Sequence, residues 1–381
     1  MDIVSKFPAL GISIFPVMSA LAHQHKAINL AQGFPGFPVS EELIGLVHHY
    51  LREGYNQYSP MQGILRLREV ISQKQQKLYG TYFDPETEVT IAAGATEAMF
   101  SAISAVVKTG DEVIVFEPAF DIYVPAIELN GGKVVRIKLK HPDFHYDWEE
   151  VKAAITAKTK LMIINSPHNP TGRVLRKEDV DALAEIVKDT KILVLSDEVY
   201  EHMVFDGKEH FCLAVHPLLK DRTMVVASLG KVFHCTGWRI GYCLAPKVLS
   251  AEFRKAHQFV TFSANTPIQY AMADYLENEW NYLSLSSFFQ TKRDLLRDLL
   301  KGSKFELLPA EGSYFQLASY KEITDQHDVE FAKWLTVEHG VASIPISVFY
   351  KDGTDDKIIR FCFAKEENEL GKAAEKLGLL A

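Results

Sequence analysis

The 381-residue chain is 47% hydrophobic and 24% charged, with a formal net charge of -8, a balance that supports a substantial core and one large domain with a smaller companion. Its 41 basic residues are outnumbered by 49 acidic ones and scattered, so nothing offers a stripe for nucleic acid. Cys212, Cys235, Cys243 and Cys362 lack CxxC spacing, which excludes a zinc knuckle or disulfide framework, and the absence of any apolar run of ~18 residues or of a signal-like stretch in Met1 to Phe15 leaves a cytoplasmic protein with no membrane partner as the expectation.

In chain order, the N-terminal arm with Gly33-Phe34-Pro35-Gly36-Phe37-Pro38 is too irregular to stand alone and is expected to pack on a smaller C-terminal unit. Val89 to Ala93 reads as a strand, followed by Gly94-Ala95-Thr96 and a helix from Thr96 to Val107. The short apolar runs Val113 to Phe116, Val134 to Ile137, Leu161 to Ile164, Ile192 to Leu195 and Met224 to Ala227 read as buried strands of a mainly parallel sheet. Helices are expected over Asp147 to Ile155 and Lys177 to Lys188. Too few residues separate Lys231 from Arg239 to Leu244 for a parallel crossover, so that run is predicted to be antiparallel.

From about Leu276 the pattern changes. A long helix over Glu277 to Lys301 is expected, then strands at Phe305 to Leu308, Tyr314 to Leu317 and Ile358 to Phe363, with a helix over Val329 to His339. The prediction is an α/β protein: a large domain over residues 46–275 with a mainly parallel sheet and one antiparallel strand, and a small α+β domain built from 1–45 and 276–381.

The residues with chemical potential cluster after the predicted strands, where open α/β sheets bind ligands. Gly94 permits a tight turn, and the N-H groups of Ala95 and Thr96 at a helix start can hold a phosphate with the Thr96 hydroxyl; alone, such a junction is an ordinary turn. Asn169 lies in Asn169-Pro170-Thr171-Gly172, a β-turn that can still present its amide, with a cis Asn-Pro bond a possibility. Asp197 can cap a helix or keep a pyridine nitrogen protonated. Ser228, Lys231 and Arg239 follow a strand end; a lysine buried near cations loses its proton readily, and Arg239 can grip a phosphate with two bonds, although a snorkelling lysine and a surface ion pair are the plainer readings. Phe120 can stack on a planar ring or simply fill the core. Arg360, inside an apolar run, needs a partner, whether a substrate carboxylate or an internal Asp or Glu. Taken together these residues describe a pyridoxal 5'-phosphate site, with Lys231 as the lysine that carries the cofactor.

With these motifs assembled, the chain resembles the fold type I pyridoxal phosphate enzymes of the class I/II aminotransferase family, most closely the methionine and kynurenine aminotransferase branch, from Asn29-Leu30-Ala31-Gln32-Gly33-Phe34-Pro35 through to Arg360-Phe361-Cys362-Phe363. The resemblance implies that Lys231, Asp197 and Tyr200 are catalytic. It implies that Gly94, Ala95, Thr96, Ser228 and Arg239 hold the phosphate, that Phe120 stacks on the ring, and that Asn169 and Tyr200 meet its hydroxyl oxygen. Arg360, Gly33, Asn169 and Tyr123 would bind substrate, with no metal. Tyr58 resembles a tyrosine that reaches the phosphate of the neighbouring subunit, which implies a homodimer with sites at the interface.

Dicarboxylate-specific relatives add an arginine shortly before a segment like Phe262-Ser263-Ala264-Asn265-Thr266, and here no arginine occurs between Arg254 and Arg293. An apolar or aromatic donor of the methionine, phenylalanine or kynurenine class is therefore expected, in a ping-pong exchange with a 2-oxo acid. Two alternatives stand beside it: a β-lyase acting on cysteine conjugates or cystathionine, and a regulatory protein that keeps the cofactor pocket without catalysis.

Overall fold

The computed structural model describes residues 4–5 and 11–380; residues 1–3 and 6–10 of the N-terminal stretch read for a targeting signal lie outside them. After a short strand β1 (Ile28–Asn29), seven strands form the central sheet: β2 (Val89–Ala92), β3 (Glu112–Glu117), β4 (Lys133–Lys138), β5 (Thr159–Asn165), β6 (Leu193–Asp197), β7 (Thr223–Ala227) and β8 (Gly241–Leu244). Their order is β2-β8-β7-β6-β5-β3-β4. Strand β8 runs antiparallel to both neighbours, and every other pairing is parallel. The inner strands are largely apolar because both faces are covered, with β7 and β8 buried throughout, whereas the edge strand β4 carries Lys133, Arg136 and Lys138.

The predicted antiparallel strand begins at Gly241 rather than Arg239, because Arg239 adopts a left-handed backbone (φ 55°) and turns the chain before pairing starts. The other six strands all point the same way, so their carboxyl ends share one edge of the sheet.

The C-terminal part carries β9 (Glu306–Leu307), β10 (Phe315–Ser319), β11 (Val341–Ala342), β12 (Ile344–Pro345) and β13 (Ile358–Cys362). Strands β12-β13-β10-β9 form a four-stranded antiparallel sheet, and β11 pairs in parallel with β1. Through β1 the N-terminal arm pairs with β11 of the C-terminal part. Among the described residues no helix is long and apolar enough to cross a membrane.

The single long helix expected over Glu277 to Lys301 is replaced by two, Trp280–Leu283 and Leu285–Leu299, while Glu277 ends the preceding helix Thr266–Glu277. Asn278 causes the first break. Its backbone is extended (φ -85°, ψ 100°) and its Oδ1 accepts from the Trp280 N-H at 3.2 Å, a local bond that competes with the helical one.

Candidate active site

One cavity of about 260 Å³ opens at the carboxyl edge of the central sheet, lined among others by Ala95, Thr96, Phe120, Asn169, Asp197, Tyr200, Ser228, Lys231, Arg239, Gly33 and Arg360. Residues at or after the carboxyl ends of β2, β3, β5, β6 and β7 converge there because these parallel strands end at the same edge.

The turn after β2 is shaped by Gly94, whose φ of 85° suits glycine alone and whose missing side chain makes room for Arg239: a Cβ there would lie 2.6 Å from the guanidinium. The helix Ala95–Val106 starts at once, with its first internal bond from Ala98 N to Gly94 O. The N-H groups of Ala95, Thr96 and Glu97 therefore have no partner within the helix and suit an anion. Across the cavity Ser228 caps the short helix Leu229–Val232, its Oγ accepting from Lys231 N at 3.2 Å. Gly94→Ala is expected to raise the dissociation constant of a bound phosphate ligand by about tenfold or more, since backbone strain of ~1–3 kcal/mol adds to the displaced guanidinium. A cofactor titration reading an unchanged constant would contradict this.

Lys231 donates from Nζ to the Gly33 carbonyl and to the Tyr314 hydroxyl, both at 2.9 Å. Burial lowers its pKa to about 8, with Arg360 and Arg239 pushing the same way against Cys362 and Asp197. The free amine, the reactive form, therefore becomes dominant as pH rises through about 8. The unloaded protein should capture pyridoxal phosphate about tenfold faster per pH unit below that value and level off above it. Stopped-flow absorbance that keeps rising to pH ~10.4, the ordinary lysine value, would count against the assignment.

Asp197 ends β6 and is 2% exposed. Burial raises its pKa to about 6, while the Tyr123 hydroxyl, donating at 2.6 Å, and the Val199 N-H favour the charged form. This corrects the placement of Tyr123. Expected against the substrate, it stands behind Asp197, buried and outside the cavity lining, because its helix Tyr123–Leu129 turns the ring toward β6.

Arg360 on β13 is 0% exposed. Its Nη1 donates to Asn169 Oδ1 at 2.6 Å and Nη2 to the Ala31 carbonyl at 3.1 Å, and the guanidinium lies 3.8 Å from the centre of the Phe315 ring. Its Nε is buried without a partner, and burial lowers its pKa to about 10. The internal Asp or Glu that would be the plain explanation of a buried arginine is absent among its bonds. Arg239 likewise bonds only the Thr236 carbonyl, at 3.1 Å.

Three cations thus face the cavity, Lys231, Arg239 and Arg360, none of them in an ion pair among the described residues, against the one buried carboxylate of Asp197. Arg360 is a buried charge without an ion pair, which is costly, and Arg239 is exposed with its guanidinium bonded to one carbonyl, so the set fits ligands that bring two anionic groups: a phosphate at Arg239 and a carboxylate at Arg360. Pyridoxal phosphate and an amino acid together meet that demand. The Asn169-Pro170 bond is cis.

Tyr58 does not line this cavity. It is 82% exposed and stands edge-on to Phe262, ring centres 5.1 Å apart, beside a separate open cleft. Sequence reasoning missed Tyr314, which also donates to Gly33 O at 2.6 Å, and Phe315 beneath Arg360. Both lie in or beside an apolar strand run, where nothing in composition marks a side chain that faces a ligand.

The family described as Aminotransferase class I and II matches residues 25–377. The chain is 50% identical over 374 residues to the methionine aminotransferase of Escherichia coli (strain K12), covering 98% of this chain and 97% of that one. It is 36% identical over 412 residues to a kynurenine-oxoglutarate transaminase of Dictyostelium discoideum, covering 97% and 94%. Among solved structures, an Escherichia coli protein described as having a methionine aminotransferase function matches with a TM-score of 0.97 at 49% identity, over 100% of both chains.

Proposed function

The chain belongs to the class I and II aminotransferases, and from that premise we propose that it uses pyridoxal phosphate to move the amino group of an apolar or aromatic L-amino acid to a 2-oxo acid. The observation that carries the substrate class is the charge of the cavity. Two guanidinium groups line it among the described residues; with Arg239 at the phosphate, Arg360 is left for one carboxylate, and Phe15, Phe34, Phe120 and Phe315 add aromatic wall beside polar groups such as Gln32 and Asn169. An aspartate side chain would find no further guanidinium there among the described residues, whereas methionine, phenylalanine or kynurenine would bury apolar surface. The two methionine aminotransferase matches and the kynurenine transaminase support the same class.

In this reading Arg239, Thr96, Ser228 and the N-H groups of Ala95 and Thr96 hold the phosphate. Phe120 would lie against the ring, Asn169 and Tyr200 would meet its hydroxyl oxygen, and Asp197 would keep a proton on its nitrogen. When bound, the cofactor supplies an electron sink for the charge left as the amino acid's Cα-H bond breaks. Arg360 fixes the substrate carboxylate, and with it the direction in which Cα-H points. Lys231 Nζ then takes the Cα proton as a general base and later returns one as a general acid. Its free pair is available near neutral pH because burial has already lowered its proton affinity. Release of the 2-oxo acid before the acceptor enters makes the exchange ping-pong.

Steady-state assays of methionine, phenylalanine, kynurenine and aspartate as donors test the class. The apolar and aromatic donors are expected to exceed aspartate in kcat/KM by about 10²-fold, since an unpaired carboxylate in an apolar pocket costs a few kcal/mol. Equal use of aspartate would reject it, and release of pyruvate and ammonia from a cysteine conjugate without 2-oxo acid consumption would favour the lyase.

We further propose a homodimer in a reducing, cytoplasmic setting. The exposed Tyr58 and Phe262 rings and their open cleft support the first, as an aromatic patch suited to a partner surface. The four free cysteines, all buried, support the second.

A further inference from the structure

Away from the cavity, a buried histidine makes contacts that the site itself does not explain. His257, on the helix Lys247–Val260, is 0% exposed and stacks on Phe253 with ring centres 5.6 Å apart. Its Nε2 lies 3.2 Å from the Met61 carbonyl and its Nδ1 2.9 Å from Glu97 Oε1. A carbonyl oxygen only accepts, so Nε2 carries a hydrogen. Nδ1 faces a carboxylate oxygen, so the ring bridges Glu97 and Met61 through its two nitrogens.

The two partners belong to two different parts of the phosphate environment. Glu97 sits in the first turn of the helix Ala95–Val106, and its Oε2 accepts from Ala93 N at 3.0 Å while Ser101 Oγ donates to Oε1 at 2.6 Å. It thus fastens the turn from Ala93 to Thr96. Met61 lies in the segment that runs from Tyr58 to Gly63, which is itself tied to β2 through Ile91 N and Gln62 O at 3.0 Å. Arg254, one turn earlier on the histidine's helix, is committed elsewhere, to Thr90 Oγ1 and to the carbonyls of Glu86 and Val89. His257 is the one basic side chain within ion-pair distance of Glu97 among the described residues.

We propose that His257 is a positioning residue of the phosphate grip: through Glu97 it fixes the turn from Ala93 to Thr96, and through Met61 it ties that turn to the segment bearing Tyr58. The inference rests on the cofactor reading above. It is tested by titrating the unloaded wild type and the variants His257→Phe, Glu97→Ala and Glu97→Gln with pyridoxal phosphate, and by measuring the donor's KM in the loaded enzymes. His257→Phe and Glu97→Ala are expected to raise the cofactor's dissociation constant by about tenfold or more while leaving the donor's KM unchanged. Glu97→Gln is expected to bind no more weakly than the wild type, because the amide accepts from Ala93 N and donates to the Nδ1 of a neutral His257. Should His257→Phe fail to fold, the two Glu97 variants decide between them. Wild-type affinity in Glu97→Ala, or a loss in Glu97→Gln as large as in Glu97→Ala, overturns the proposal. A wild type that takes up no pyridoxal phosphate overturns the cofactor reading and this inference with it.

Discussion

Replacing Lys231 by alanine is expected to lower transamination by about 10⁴-fold or more, the upper range for removal of a general acid or base. The amine is buried, bonded to the Gly33 carbonyl and Tyr314 hydroxyl, and lowered to a pKa of about 8. It is placed to lose and regain a proton rather than to neutralise a carboxylate. Lys231→Arg separates the two roles. A guanidinium keeps the charge but stays protonated and cannot attack a carbonyl carbon, so the arginine variant is expected to be as inactive as the alanine one. Substantial turnover in either variant would remove Lys231 from the mechanism.

The second large effect concerns Arg360. Arg360→Ala should reduce kcat/KM for every amino donor by about 10²- to 10³-fold, mainly through KM, the scale of losing one side of a buried, hydrogen-bonded charge pair. Arg360→Lys should recover little, because an ammonium reproduces neither the fork that bonds Asn169 and Ala31 nor the stacking on Phe315. Stability should move differently. The unloaded protein buries this cation without a carboxylate, and an apolar residue of similar volume in such a place is often neutral or stabilising. Arg360→Met is therefore expected to lose activity while unfolding at no lower temperature, a combination that calorimetry beside kinetics will detect. A loss of activity matched by a collapse in thermal stability would assign Arg360 to the core instead.

Much of this architecture is legible in the sequence because parallel sheets write plainly. The runs Val113 to Phe116 and Leu161 to Ile164 are apolar on both faces, and the short gap after Lys231 leaves β8 no room for a crossover. The phosphate turn is legible for the same reason: Gly94 between a strand and a helix has few other uses once Ser228 and Arg239 are read beside it. Less legible is whatever depends on side-chain direction. Tyr123 follows Phe120 in a loop that touches the cavity, yet its hydroxyl turns back to Asp197, and no periodicity encodes that rotation in a helix of 7 residues. Tyr314 and Phe315 sit next to each other at the start of β10 and meet Lys231 and Arg360 respectively, a division that the apolar run does not mark. The break at Asn278 was hidden because an asparagine inside an otherwise helical pattern costs little by propensity, and only its bond to Trp280 decides the outcome.

The central claim is most directly tested by the visible absorption spectrum of the purified protein loaded with pyridoxal phosphate, followed as methionine is added without any acceptor. A band that appears on loading, disappears stoichiometrically with methionine and returns on addition of a 2-oxo acid is the predicted result, since each half of the exchange proceeds alone. A protein that takes up no cofactor, or whose band is unmoved by methionine, phenylalanine and kynurenine alike, would contradict the account.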